Sequence, residues 1–115
     1  MGVRGSCHCG AVTIAVPRAP EWVGSCNCSL CAKLGWLVAY YPDADVTIEG
    51  PTVAYVWGDR MLGTHHCPTC GCTTHWRTLG EDFGKMGVNA RLLEGFDVGA
   101  VEVRAFDNAG GQLVR

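Results

Sequence analysis

Where the chain shows a regular alternation of apolar and polar residues, the period is two. Val12, Ile14 and Val16 fall on one face and Thr13 on the other, which predicts a strand over Ala11 to Val16, closed by Pro17. Glu21 to Ser25 reads as a second strand. Trp36 to Tyr41 is apolar, β-prone and ended by Pro42. Val46 to Ile48 and Val53 to Trp57 predict a hairpin around Gly50-Pro51. Leu62 to His66 leads into a cysteine-rich turn and Thr73 to Arg77 leaves it. Gly87 to Leu93 and Ala100 to Phe106 complete the strands. No segment carries a sustained 3.6-residue apolar period, and only Ser29 to Leu34 reads as a short helical turn. The pattern predicts a mainly β fold of short strands joined by turns, which 16 glycines and five prolines suit.

At 115 residues the chain is expected to form a single domain over 1–115. Its longest apolar candidate, Leu34 to Tyr41, falls far short of the roughly 20 residues that a membrane helix needs. No apolar leader stretch follows the N-terminus, so the expectation is a cytoplasmic protein with no membrane partner. The formal net charge is −2 and the nine basic residues are scattered. Without a basic stripe to follow a phosphate backbone, nucleic-acid binding is not expected. Asp and Glu show no pairing that suggests carboxylate catalysis.

The eight cysteines change the picture most. They fall as Cys7-x-Cys9, Cys26-x-Cys28-x-x-Cys31 and Cys67-x-x-Cys70-x-Cys72. A disulfide framework spreads its partners along the chain to close long loops, and it needs an oxidising compartment. Tight pairs and triplets instead aim neighbouring sulfurs at one ion. Cys67-Pro68-Thr69-Cys70-Gly71 has the form of a zinc knuckle, with Pro68 presetting φ and Gly71 free to take the positive φ of the turn. Cys7 and Cys9 lie two apart, so in extended chain both sulfurs face the same way. Together the two pairs complete a tetrahedral site of four thiolates, a structural zinc. Cys26, Cys28 and Cys31 then remain as three thiolates without an evident fourth partner. Three protein ligands and an open position is the pattern of a catalytic zinc. The alternatives are that Cys72 closes the triplet into a second structural site, or that Cys72 is a small buried hydrophobe.

Other side chains carry weaker signals. His65 and His66 are adjacent in a strand, so at most one faces the metal region. His75 is a candidate proton shuttle because its unperturbed pKa lies near neutrality; a packing histidine is the plainer reading. Asn89 and Arg91, two apart in a predicted strand, share a face, and Arg91 could hold a carboxylate through a bidentate pair or form a structural ion pair. Trp22, Trp36, Trp57, Trp76, Tyr40 and Tyr41 are expected in the core, with one or two walling a pocket beside the triplet.

The segments GSCHCGAV (Gly5 to Val12), CNCSLC (Cys26 to Cys31), HHCPTCGC (His65 to Cys72) and GVNARLL (Gly87 to Leu93) resemble, in order and spacing, the glutathione-dependent formaldehyde-activating family. The resemblance implies a β-tent fold of several small antiparallel sheets around zinc. It implies two zinc sites: a structural one on Cys7, Cys9, Cys67 and Cys70, and a catalytic, labile one on Cys26, Cys28 and Cys31. The implied reaction is that of a carbon–sulfur lyase joining glutathione, or another small thiol, to formaldehyde or another small aldehyde as S-hydroxymethylglutathione. Family members often have a basic residue after Cys31; here Ala32 stands there, and Lys33 could substitute. Lys33 and Arg91 are then the expected contacts to the thiol substrate. A non-catalytic zinc module that binds a protein partner or a thiol is the alternative function.

Overall fold

In the computed structural model, which describes residues 2–58, 60–79 and 84–106, the first alternation becomes a small sheet. Strand β1 (Val3–Ser6) pairs antiparallel with β2 (Thr13–Val16), and β2 pairs with β5 (Thr47–Glu49). Ile14 and Val16 are buried and Thr13 is not, as the alternation requires. β1 carries no alternation of its own and was not expected from the sequence.

Among the described residues the second sheet has seven strands, in the order β10-β3-β4-β9-β8-β7-β6. They are β3 (Trp22–Cys26), β4 (Val38–Pro42), β6 (Val53–Val56), β7 (Leu62–His66), β8 (Thr73–Thr78), β9 (Lys85–Asn89) and β10 (Glu102–Phe106). Its described ladders are antiparallel except for β10 beside β3, which is parallel. One six-residue helix, α1 (Ser29–Leu34), follows β3. No described helix is long and apolar enough to cross a membrane.

Two expectations are corrected here. Val46 to Ile48 and Val53 to Trp57 do not form a hairpin. β5 pairs with β2 in the small sheet and β6 pairs with β7 in the large one, so Gly50-Pro51 is a crossing between sheets. The strand expected through Leu93 stops at Asn89 and turns into a 3-10 helix, Ala90–Leu92. The Asn89 side chain causes this by accepting the Arg91 N–H at 3.1 Å, which bends the backbone away from the ladder.

The two faces of the large sheet have different tasks. Ala39, Tyr41, Met86 and Val88 point into the main core, where they meet Ile14, Val16 and Val23. The residues between them, Val38, Tyr40 and Lys85, point to the other side and line a cavity.

Candidate metal centres and cavity

Cys7 and Cys9 sit in the loop after β1, closed by the Cys7 N–H donating to the Val12 carbonyl at 3.0 Å. The Val12 N–H donates back to Cys7 Sγ at 3.4 Å. Cys67 and Cys70 occupy the β7–β8 turn. There the Gly71 N–H bonds the Cys67 carbonyl at 2.9 Å, and Gly71 takes φ +81° as expected. The N–H groups of Thr69 and Cys70 both point at Cys67 Sγ, at 3.4 and 3.5 Å. These turns bring the four sulfurs within 4.8 Å of one another.

The spacing is that of a metal site and not of a disulfide. Cys7 Sγ to Cys9 Sγ is 3.7 Å and Cys9 Sγ to Cys67 Sγ is 3.6 Å. A disulfide needs about 2.05 Å. A tetrahedron with metal–sulfur bonds of about 2.3 Å has edges of roughly 3.8 Å. Charge agrees. The N–H of Cys72, then that of Cys9, holds the Cys70 thiol down at about 5, and the Cys70 and Thr69 N–H groups lower Cys67. The Ala11 N–H favours the Cys9 thiolate too, but desolvation and the neighbouring thiols push it up to about 11. A cation among the four sulfurs would favour the thiolate form of each.

The second group lies where β3 ends. Cys28 is the N-cap of α1, its sulfur accepting the Cys31 N–H at 3.4 Å, while the Cys28 N–H points at Cys26 Sγ at 3.4 Å. Cys26, Cys28 and Cys31 therefore converge, with sulfurs within 4.8 Å of one another. The Trp36 indole N–H donates to Cys31 Sγ at 3.3 Å. Burial raises the Cys31 thiol, and the Trp36 bond opposes that rise. Among the described residues no fourth His, Cys, Asp or Glu joins this group. Cys72 does not close it: Cys72 packs against the cluster of Cys7, Val12 and Cys67. Each of the two groups could hold a metal ion.

The triplet forms part of the wall of a cavity of about 300 Å³. Trp36, Val38 and Tyr40, at period two into β4, make one side; Trp76 and Thr64, paired across β8 and β7, make another. Trp57, Leu62 and Leu30 add apolar surface, and Phe106 reaches in from β10. Gly87 is needed behind this wall, since a Cβ there would overlap the Trp76 indole and Val38. Burial, then the charges of Cys26 and Cys31, pushes the Tyr40 hydroxyl up to about 12, so it stays protonated.

The other expected residues lie elsewhere. His75 pairs with Val88 on the core side of the sheet, opposite its neighbour Trp76. Its ring stacks on His65 at 4.4 Å, and Nδ1 lies 2.8 Å from Thr74 Oγ1. Burial, then the charges of His65 and Arg77, lowers its pKa to about 3. A ring that stays neutral on the far face does not suit a proton shuttle for the triplet; the packing reading fits. Lys33 is exposed in the last turn of α1 and Arg91 is exposed after β9. Neither lines the cavity, because the helix and the turn aim them outward. Among the described residues the cation that does line it is Lys85, with Nζ 5.9 Å from the Tyr40 ring centroid. Sequence reasoning missed Lys85. Its place two residues before Gly87 in one strand was the available signal. The aromatic residues also serve the cavity more than expected: Trp36, Trp57, Trp76 and Tyr40 all line it, while Tyr41 alone of the six belongs to the main core.

The sequence profile of the glutathione-dependent formaldehyde-activating enzyme family matches residues 2–104. The chain belongs to this family. The crystal structure of a Rhodobacter sphaeroides protein is similar, with a TM-score of 0.77 and 30% identity over 90% of this chain and 99% of that one. Among curated proteins, none matches the chain significantly. The cysteine segments that suggested the family all fall within the matched residues.

Proposed function

We propose that the chain is a zinc-dependent carbon–sulfur lyase or synthase acting on a thiol–aldehyde adduct, in the manner of formaldehyde plus glutathione. The observation that supports this best is the convergence of Cys26, Cys28 and Cys31, with no fourth protein ligand in their group among the described residues, on the wall of a cavity. Cys7, Cys9, Cys67 and Cys70 would hold a structural zinc, and the triplet a catalytic one. Zinc at the triplet would supply Lewis acidity, lowering the pKa of a thiol or polarising a carbonyl oxygen.

The chain's own residues do the rest. The Cys28 and Cys31 N–H groups and the Trp36 indole orient the three sulfurs and soften their negative charge. Trp36, Trp76 and Phe106 exclude water from the adduct. The Tyr40 hydroxyl remains a proton donor. A fourth protein ligand at the triplet would favour a non-catalytic module; among the described residues none joins it, and Cys72 lies with the other cluster.

The test is exchange spectroscopy with ¹³C-formaldehyde and a panel of thiols over zinc-loaded protein. The reading expects faster interconversion of free and thiol-bound aldehyde for at least one thiol, lost in Cys28→Ser. No acceleration with any thiol would overturn it.

A further inference from the structure

The reading above leaves open which thiol the cavity takes, and this inference rests on that reading. A sulfur near the Cys26, Cys28 and Cys31 group must lay its substituent along the cavity. That space is walled by aromatic rings: Trp36, Trp57, Trp76, Tyr40 and Phe106. Polar partners are few. The Trp36 N–H is already given to Cys31, which leaves the Thr64 and Tyr40 hydroxyls, the Trp57 and Trp76 indole N–H groups and the Lys85 ammonium. Among the described residues Lys85 is the sole cation lining the cavity. Arg104 is turned away, its guanidinium 4.2 Å over the Trp22 ring and its Nε 3.2 Å from the Glu102 carboxylate.

Glutathione brings two carboxylates, an ammonium and two peptide groups. One ammonium and a few neutral donors, with no carboxylate among the described lining residues, cannot match two carboxylates and an ammonium, and every buried polar group left without a partner weakens binding. An aromatic thiol matches the walls: its ring can stack or meet the rings edge-on. A single carboxylate on that ring has one partner, Lys85.

We infer that the substrate thiol of this chain is a small aromatic or apolar thiol bearing one carboxylate, with Lys85 as the residue that selects the carboxylate. In the reaction the S–H bond breaks and an S–C bond forms to the aldehyde carbon. The proton ends on the former carbonyl oxygen, and nothing is oxidised or reduced.

The experiment is calorimetric titration of the zinc-loaded chain with 4-(mercaptomethyl)benzoate, its S-methyl ether, benzyl mercaptan and glutathione. The carboxylated aryl thiol is expected to bind at least tenfold tighter than glutathione. Lys85→Met should weaken it about tenfold, leave benzyl mercaptan unchanged, and be rescued by Lys85→Arg. Zinc content confirms that both variants are folded. Glutathione binding as tightly as the aryl thiol, or equal loss for both aryl ligands in Lys85→Met, would overturn this inference and leave the proposed reaction standing. Failure of every thiol to bind, or equal binding of the S-methyl ether, would overturn the proposed reaction and the inference with it.

Discussion

The Trp36 indole N–H donates to Cys31 Sγ at 3.3 Å across five residues, from the far end of α1. Gly35 makes this possible by closing the helix on the Cys31 carbonyl and turning the chain back. The bond both orients the sulfur and stabilises its anionic form. Trp36→Phe should keep the ring and lose the donor. The expected outcome is a tenfold or greater loss of metal affinity at the triplet, with the other cluster unaffected. Cobalt substitution reads it directly, through a shift of the thiolate charge-transfer band.

The two cysteine groups should differ in what they do for folding. Cys70 joins chain segments far apart in sequence, and structural zinc is worth on the order of 10–16 kcal/mol in small peptides, beyond a domain's usual margin of about 5–15 kcal/mol. Cys70→Ser is therefore expected to be insoluble or to lack NMR dispersion. A native-like spectrum would count against a structural site.

Cys28→Ser should behave otherwise. Serine is a good N-cap and can still accept the Cys31 N–H, so α1 keeps its start. Few residues separate the three sulfurs, and losing their metal releases little loop entropy. The variant is expected to fold with one metal equivalent fewer by native mass spectrometry. In the unaltered chain mild chelation should remove one equivalent first.

His75 supplies a pH test. Its folded pKa of about 3 lies below the ordinary 6.5, so between those values the unfolded chain binds the proton better. The stability it contributes is complete above pH 6.5 and is lost as pH falls toward 3, at about 1.4 kcal/mol per pH unit. The His75 ring resonances should not titrate between pH 8 and 5. His75→Gln should show a shallower fall of its urea midpoint over pH 6.5 to 5 than the unaltered chain.

Gly87 is tested by a single methyl. A Cβ there would strike Trp76 and Val38, neither free to retreat from the cavity wall. Gly87→Ala should cost about 1–3 kcal/mol by denaturant unfolding and reduce thiol binding in the cavity. An unchanged midpoint would mean that the wall yields.

Strand existence and the cysteine groupings were legible in the sequence because both follow local rules: period two, and sulfurs two or three residues apart. The β4 region shows where that ends. Trp36, Val38 and Tyr40 alternate with Leu37, Ala39 and Tyr41, and both sets are apolar because one faces the cavity and the other the core. An apolar run gives no sign of which face is which. The false hairpin at Gly50-Pro51 has a different cause. Its turn residues suited a tight reversal, but β2 and β7 are better partners for the flanking strands, and pairing between distant strands leaves no local mark. The strand expected through Leu93 ended early because the Asn89 side chain competes with the ladder.

Cys9 and Cys67, side by side in the folded chain, stand 58 positions apart along it. At about 5–20 residues per second, a ribosome makes the first thiol pair roughly 3–12 seconds before the second. β3 waits longer still, since its parallel neighbour β10 is the last of the described strands to be made, and Phe106 arrives with it. The order of synthesis thus sets an order of assembly: small sheet, thiol cluster, and finally the part of the cavity wall that Phe106 supplies. During that interval the early cysteines stand uncovered, and a cell making this chain must keep them reduced until the knuckle between β7 and β8 emerges to meet them.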